Sequence, residues 1–152
     1  MISMSDKLFL DTNILVYAYD SSEPEKQAKA QTLLTQGIER ENTVISAQVL
    51  GEFFVVVTRR IQKPLSAKQA EQVIDLLSIL SVVEIDLKLV RRAVFIHTES
   101  QISYWDSLII SAAERAGCTK ILSEDLNAGQ AYHDVRVENP FNGARTNQNV
   151  QA

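Results

Sequence analysis

The chain has 152 residues, of which 45% are hydrophobic and 22% charged, a composition that is ordinary for a folded globular protein. Its formal net charge of −4 excludes a global attraction to nucleic acid, so any nucleic-acid function must depend on local basic patches or on bound cations. No apolar run approaches the roughly 20 residues of a membrane span, the N-terminus lacks a secretory signal pattern, and the single cysteine cannot form an internal disulfide, so we expect a cytoplasmic protein with no membrane segment.

The first predicted element is a short strand, Leu8–Leu10, whose continuous apolar run is typical of a strand buried on both faces. It ends at Asp11, Thr12 and Asn13, which favour turns and helix starts, and an apolar helix follows. Asp11 is the only charged residue in this strand and helix start. Ligands of open parallel sheets bind at the carboxyl ends of strands, so Asp11 is a candidate site residue, with simple helix capping as the alternative.

The remaining sequence alternates predicted helices with short predicted strands. Helices are expected at residues 21–40, 47–61, 66–80, 87–98 and 103–116, and strands at residues 43–45, 81–85, 120–122 and 135–137, the last at a sheet edge. Residues 123–132 are expected to form a polar loop or a short helix. Local signals mark several helix ends, including the capping-box spacing of Ser66 and Gln69 and the C-terminal glycine, Gly117.

This alternation predicts an α/β fold, a three-layer α/β/α sandwich with a mostly parallel central sheet of Rossmann-like character. Residues 1–141 are expected to form a single domain. Residues 142–152 are polar and rich in asparagine and glutamine, and we expect this tail to fray.

Three further acids occupy positions where a carboxylate is costly. Glu52 is the only charge in an otherwise apolar helix that is predicted to be buried, although a narrow solvent-facing stripe is the alternative. Asp106 is the only charge in residues 101–113, but Ser103 and Asp106 also have capping-box spacing. Asp125 follows the fourth strand and could be a turn former, while its neighbour Glu124 is expected to be the exposed one of the two.

Taken together, the four acids are hard to explain as separate features. Asp11 and Asp125 both follow strands, so they can share one sheet edge, while Glu52 lies about two turns into one helix and Asp106 opens another. Four like charges brought together would repel and raise each other's pKa values unless a divalent cation compensated them. Mg²⁺ and Mn²⁺ prefer such oxygen ligands and would also bring a phosphodiester to a net-acidic surface.

Four segments, in order, resemble the PIN domain and, within that group, the VapC-type toxin ribonucleases. They are residues 9–15, 46–54, 104–109 and 122–130, and residues 135–141 resemble the closing strand of the family. The resemblance covers about residues 7–141, so it extends the fold prediction to a single PIN-like nuclease domain, residues 1–141.

The resemblance implies a type II toxin that cleaves RNA with Mg²⁺ or Mn²⁺, forms a homodimer and binds a cognate VapB-type antitoxin. The catalytic and metal-binding acids of the family map onto four positions, which are Asp11, Glu52, Asp106 and Asp125. Supporting positions are Thr12, Asn13, Ser123 and Asn127. We expect the first and third acids to hold the metal, directly or through water, and the other two to complete the pocket and orient the attacking water or a second ion.

Two other functions remain open from the sequence. The chain could be a catalytically silent PIN-fold interaction module that binds a protein partner or RNA. A phosphoacceptor receiver domain is a weaker alternative, because it would need adjacent acids at the first strand, where Thr12 and Asn13 stand instead. A basic cluster, Arg59, Arg60 and Lys63, is either a solvated surface or a site of phosphate contacts.

Overall fold

A computed structural model describes residues 6–141, so the tail predicted to fray lies outside the described residues. The strands are β1 (Leu8–Leu10), β2 (Thr43–Ser46), β3 (Ser81–Val83), β4 (Lys120–Leu122), β5 (Ala131–Tyr132) and β6 (Val135–Glu138). They form one sheet in the order β3-β2-β1-β4-β6-β5, in which β5 and β6 are antiparallel and the other neighbours are parallel.

Helices cover both faces of this sheet. They are α1 (Thr12–Ala18), α2 (Pro24–Arg40), α3 (Ala47–Arg59), α4 (Ala67–Leu77), α5 (Leu87–Ser100) and α6 (Tyr104–Arg115). Helices α1 to α4 connect β1, β2 and β3 in one direction along the sheet, whereas α5 and α6 return the chain from β3 to β4. Since such crossovers are right-handed, the two groups lie on opposite faces. The predicted three-layer α/β fold with a mostly parallel sheet is confirmed.

The centre of the sheet is buried on both sides, as the apolar runs predict. Phe9 and Ile121 are fully buried on the neighbouring strands β1 and β4, and all of β2 is buried. Helix α2 lies so close to β2 that a Cβ atom on Gly37 would stand 2.1 Å from Oγ1 of Thr43. Glycine is therefore required at residue 37 for this helix to reach the sheet.

Several local expectations need correction. The predicted edge strand, β6, instead pairs with β4 on one side and with β5 on the other. Strand β5 has only two residues, too few to show the alternation by which a strand is recognised in a sequence. Of the two alternatives expected for residues 123–132, the loop is found over residues 123–130, and the last two residues form β5. The expected C-terminal signal of α6 is confirmed, because Gly117 adopts a φ of 74° and the Cys118 N–H donates to the Ala113 carbonyl at 2.9 Å.

Helix α3 is less buried than its apolar sequence predicts. Val49, Phe53 and Val57 face the core, while the opposite side of the helix is open, with Gly51 exposed and Val55 44% exposed. The four-residue spacing of the buried positions is that of an amphipathic helix, and Val55 lies on its solvent-exposed face. Across residues 6–141, no helix is both long enough and apolar enough to cross a membrane.

Candidate functional site

The site begins where β1 and β4 end side by side. Leu10 and Leu122 are paired in the parallel ladder, so the residues that follow them leave the sheet at the same level. The Asp11 N–H donates to the Leu122 carbonyl at 3.0 Å, and the Ser123 hydroxyl donates to Oδ2 of Asp11 at 2.7 Å. After β1 the chain adds β2 and β3 on one side of this strand and later adds β4 on its other side. The ends of β1 and β4 therefore mark the topological switch point, where open α/β sheets bind ligands.

Asp11 is both a helix cap and a buried carboxylate. Its Oδ1 accepts the Thr12 N–H at 2.8 Å at the start of α1, and its side chain accepts a further bond from Nδ2 of Asn13 at 3.3 Å. Only 7% of the residue is exposed. Burial raises the pKa of its carboxyl to about 6, because the lost hydration outweighs the hydrogen bonds from Ser123 and Thr12 that lower it. Both sequence interpretations of Asp11, cap and candidate site residue, are therefore compatible.

Asn13 joins the two strand ends. Its Nδ2 donates to Oδ2 of Asp125 at 3.2 Å as well as to Asp11, and its Oδ1 accepts the Glu124 backbone N–H at 3.0 Å. Ser123 tightens the same loop, since its hydroxyl oxygen accepts the N–H groups of Asp125 and Leu126 at 3.2 and 3.1 Å. Asp125 is exposed at the mouth of this network.

Glu52 reaches the site from α3 and is held at both oxygens. Oε2 accepts the Thr12 hydroxyl at 2.8 Å, and Oε1 accepts Nε2 of Gln48 at 2.8 Å. The same Gln48 nitrogen donates to the Trp105 carbonyl at 3.1 Å, which ties α3 to the start of α6. Sequence analysis did not select Gln48, although its position one helical turn before Glu52 was the available signal.

Asp106 approaches from the first turn of α6. The Ser103 hydroxyl caps this helix by accepting the Asp106 N–H at 3.0 Å, as the capping-box spacing predicts. Burial raises the pKa of the Asp106 carboxyl, and the charges of Glu52 and Asp125 raise it further. Those same two charges also raise the pKa of Asp11. The four acids from four separate segments thus lie within one electrostatically coupled cluster.

The cluster has the right donor chemistry for a hard cation. Within residues 6–141, the salt bridges engage other acids, and none of them includes these four carboxylates. Oxygen-only donors suit Mg²⁺ or Mn²⁺. However, no three histidine, cysteine, aspartate or glutamate side chains of the described residues are gathered closely enough to hold a metal ion. Instead, the Asn13 amide nitrogen hydrogen-bonds both Asp11 and Asp125 and supplies the positive partial charge between them.

The other expected residues divide into two groups. Thr12, Asn13 and Ser123 belong to the hydrogen-bond network of the acids, whereas the Asn127 side chain hydrogen-bonds the Tyr132 phenol. The expectation that Glu124 is the exposed neighbour of Asp125 is wrong. Its side chain turns inward, where it accepts the Tyr17 hydroxyl and pairs with Lys26 at 2.7 Å. The ring of Phe141 packs edge-on against Tyr17 beside this pair.

A cavity of about 590 Å³ opens beside the acids. Its lining consists of Thr12, Asn13, Val16, Tyr17, Gly51, Glu52, Val55, Val56, Arg60 and Asp125. Of the basic residues expected to contact phosphate, Arg60 lines this cavity, while Arg59 and Lys63 are exposed elsewhere on the surface.

Comparison with known families places this arrangement in context. The family model described as PIN domain matches residues 8–133, which include all four acids. None of the curated protein sequences compared with the chain matches it.

Solved structures share the fold at low sequence identity. VapC20 of Mycobacterium tuberculosis, a sarcin-ricin loop cleaving toxin, has a TM-score of 0.61 and 19% identity over 78% of this chain and 90% of its own. A toxin–antitoxin complex from Klebsiella pneumoniae has a TM-score of 0.64 and 19% identity over 90% and 98%. DNA-bound VapBC from Salmonella typhimurium has a TM-score of 0.65 and 18% identity over 89% and 98%. These similarities show a shared fold.

Proposed function

The chain belongs to the PIN domain family, and from that premise we propose that it is a metal-dependent endoribonuclease, the toxin of a type II toxin–antitoxin system. The observation that carries the proposal is the coupled cluster of four acids, which has no lysine or arginine partner among the described residues. A cluster that serves only stability would be expected to pair its buried charges with cations of the protein itself.

We assign the metal to Asp11 and Asp106, which would bind it directly or through water, with Glu52 and Asp125 completing the acidic pocket. When bound, Mg²⁺ or Mn²⁺ supplies a Lewis acid for a phosphoryl oxygen and polarises a water molecule for in-line attack on phosphorus. The protein contributes orientation. Thr12 and Gln48 each hold one oxygen of Glu52, and this leaves that carboxylate little freedom to rotate.

The burial of Asp11 also determines whether its carboxyl is ionised at neutral pH. With a pKa of about 6, the Asp11 carboxyl is ionised at neutral pH and can bind a cation, whereas below pH 6 protons compete with the cation for this carboxylate. The Ser123 hydroxyl and the Thr12 N–H donate to the ionised form and fix its direction.

The proposed partners are an RNA substrate, a VapB-type antitoxin and a second copy of the chain, in the cytoplasm. The shared fold with VapC20 and with the VapBC assemblies supports the nuclease and the antitoxin, and the residues of the acidic cluster support the metal. Light scattering of the purified protein, alone and with the product of a small adjacent reading frame, measures the homodimer and the complex.

The decisive experiment is cleavage of labelled RNA by the purified full chain in Mg²⁺, in Mn²⁺ and in excess chelator. We expect cleavage with either metal, none in chelator, and a loss of at least about a hundredfold in Asp11→Asn. Asp75→Asn is the matched control, because it makes the same charge change at an exposed position on α4. Equal rates in Asp11→Asn and the native protein would exclude Asp11 from the site.

The same preparation separates the nuclease from the catalytically silent module. A silent module would bind RNA or its protein partner with no metal-dependent cleavage under any of these conditions. Binding without cleavage by the native chain would therefore replace the proposed enzyme with the interaction module.

A further inference from the structure

The lining of the cavity beside the acids combines acidic, basic and apolar residues. It includes the acids Glu52 and Asp125 and the basic residue Arg60. Much of the remainder is apolar and includes Val16, Val55, Val56 and Tyr17. A volume of about 590 Å³ falls within the range of roughly 300–1,000 Å³ that is usual for pockets that hold a small molecule.

Helix α3 supplies one complete wall of this cavity. Glu52, Val56 and Arg60 recur every four residues, so they follow one side of the helix and extend just past its end. At 1.5 Å per residue this row spans about 12 Å. Arg60, the C-cap residue of α3, and Glu52 both line the cavity.

The arginine of this lining has no protein partner. Among residues 6–141, no salt bridge and no side-chain hydrogen bond involves the Arg60 guanidinium. A guanidinium offers paired N–H donors with the geometry of a phosphate and remains charged at any physiological pH. The lining of the cavity therefore combines one unsatisfied phosphate ligand and apolar residues with acids of a cluster suited to a divalent cation.

We propose that this cavity is the subsite for the nucleotide next to the scissile phosphate. Its apolar walls receive the base, Arg60 binds the phosphate of that nucleotide, and the shape of the cavity sets the base preference at the cleavage position. This inference rests on the proposed ribonuclease function, because it takes the acids as the place where the scissile phosphate lies.

A nucleotide fits this lining better than an apolar peptide segment. An apolar side chain would cover Val55 and Val56 but would make no interaction with the exposed, charged Arg60. A nucleotide suits both kinds of lining residue, since its base is flat and apolar on its faces and its phosphate pairs with the guanidinium. The Tyr17 hydroxyl is already engaged by Glu124, so the ring is what this residue offers to the cavity.

Gly51 provides a direct way to close the cavity. A Cβ atom at this exposed helical position would meet nothing within 4 Å, so a large side chain can enter the cavity without disturbing the core. Gly51→Trp fills the cavity, and Gly51→Ala is the matched control that removes the same glycine but leaves the space open. Both changes favour the helix over glycine, and circular dichroism checks that each variant is folded.

The first readout is the binding of labelled single-stranded RNA pentanucleotides of each base, followed by fluorescence anisotropy in excess chelator, which prevents cleavage. We expect Gly51→Trp to weaken binding about tenfold or more and Gly51→Ala by less than about twofold. Arg60→Gln should weaken binding about five- to tenfold and reduce the salt slope by about one, while Arg91→Gln, an exposed arginine on α5, should change neither.

The second readout is the set of cleavage sites in a randomised RNA, determined by sequencing of the fragment ends. We expect the native chain and Gly51→Ala to share one base preference beside the cut, and Gly51→Trp and Arg60→Gln to lose or alter it. Unchanged affinity and an unchanged cleavage preference in both cavity variants would overturn the subsite and leave the cavity for a protein segment. Failure of the proposed function is a different result, in which the native chain cleaves no RNA with either metal.

Discussion

The buried carboxyl of Asp11 makes the stability of the metal-free protein depend on pH. Its pKa is raised from 3.8 to about 6, so the folded protein binds this proton more tightly than the unfolded chain does. The resulting stabilisation is complete below about pH 4 and is lost as the pH rises through 6. At 1.36 kcal/mol per pKa unit, the free energy of unfolding falls by about 3 kcal/mol between acid pH, where Asp11 is protonated, and neutral pH, where it is ionised.

Asp11→Asn removes this titration while keeping the shape of the side chain. We expect the free energy of unfolding of the variant, minus that of the native protein, to rise by about 2 kcal/mol between pH 4 and pH 7.5, because part of the loss has already occurred at pH 4. At pH 4 the variant should be the less stable one by about 1 kcal/mol. The reason is that its new amide faces Ser123, whose hydroxyl oxygen already accepts the N–H groups of Asp125 and Leu126.

Urea denaturation in chelator at several pH values measures this difference, and titrating groups outside the acidic cluster cancel because they are common to both proteins. Asp75→Asn, which makes the same side-chain change at an exposed position on α4, is the control. A flat difference for Asp11→Asn across the same range would show that burial does not perturb the Asp11 carboxyl, and the reasoning about the site would fall with it.

Three further outcomes follow. Gly37→Ala should lower the free energy of unfolding by about 1–3 kcal/mol, because its Cβ atom would stand 2.1 Å from Oγ1 of Thr43; native-like stability in urea would show that α2 can shift freely. Lys26→Gln and Glu124→Gln should each lower the free energy of unfolding by about 1 kcal/mol, and a double-mutant cycle should find the two residues coupled across their 2.7 Å ion pair. Strictly additive changes would show that the ion pair does not stabilise the protein. Millimolar Mg²⁺ should raise the melting temperature of the native protein but not of Asp11→Asn, and equal shifts in a thermal scan would place the ion elsewhere.

The order of strands and helices could be predicted because its signals are local. Short apolar runs followed by polar caps mark β1, β2 and β4, and the parallel pairing of β1 with β4 then brings Asp11 beside the loop that carries Asp125. Asp11, Glu52 and Asp106 stand out in the sequence because each is a lone charge among apolar residues, and Asp125 because it follows a strand. Their electrostatic coupling depends on the sheet order, which the alternation of elements predicts.

Side-chain directions could not be predicted, since they depend on packing between distant elements. Glu124 turns inward because Lys26 and Tyr17, about a hundred positions away in the chain, offer it a cation and a hydroxyl. Val55 faces solvent because α3 buries only one of its sides, which an all-apolar sequence does not reveal. Gln48 joins the site by donating to the Trp105 carbonyl, and such a backbone acceptor cannot be recognised from residue types.

The Ser123 hydroxyl gives the site its mechanical stiffness. Its oxygen receives the backbone N–H groups of Asp125 and Leu126, and its proton goes to Asp11, so the group cannot reverse direction without breaking several bonds at once. The end of β1 and the loop after β4 are therefore linked through one hydroxyl group. A site assembled this way needs little reorganisation as charge develops during a reaction, because its dipoles already point where they will be needed.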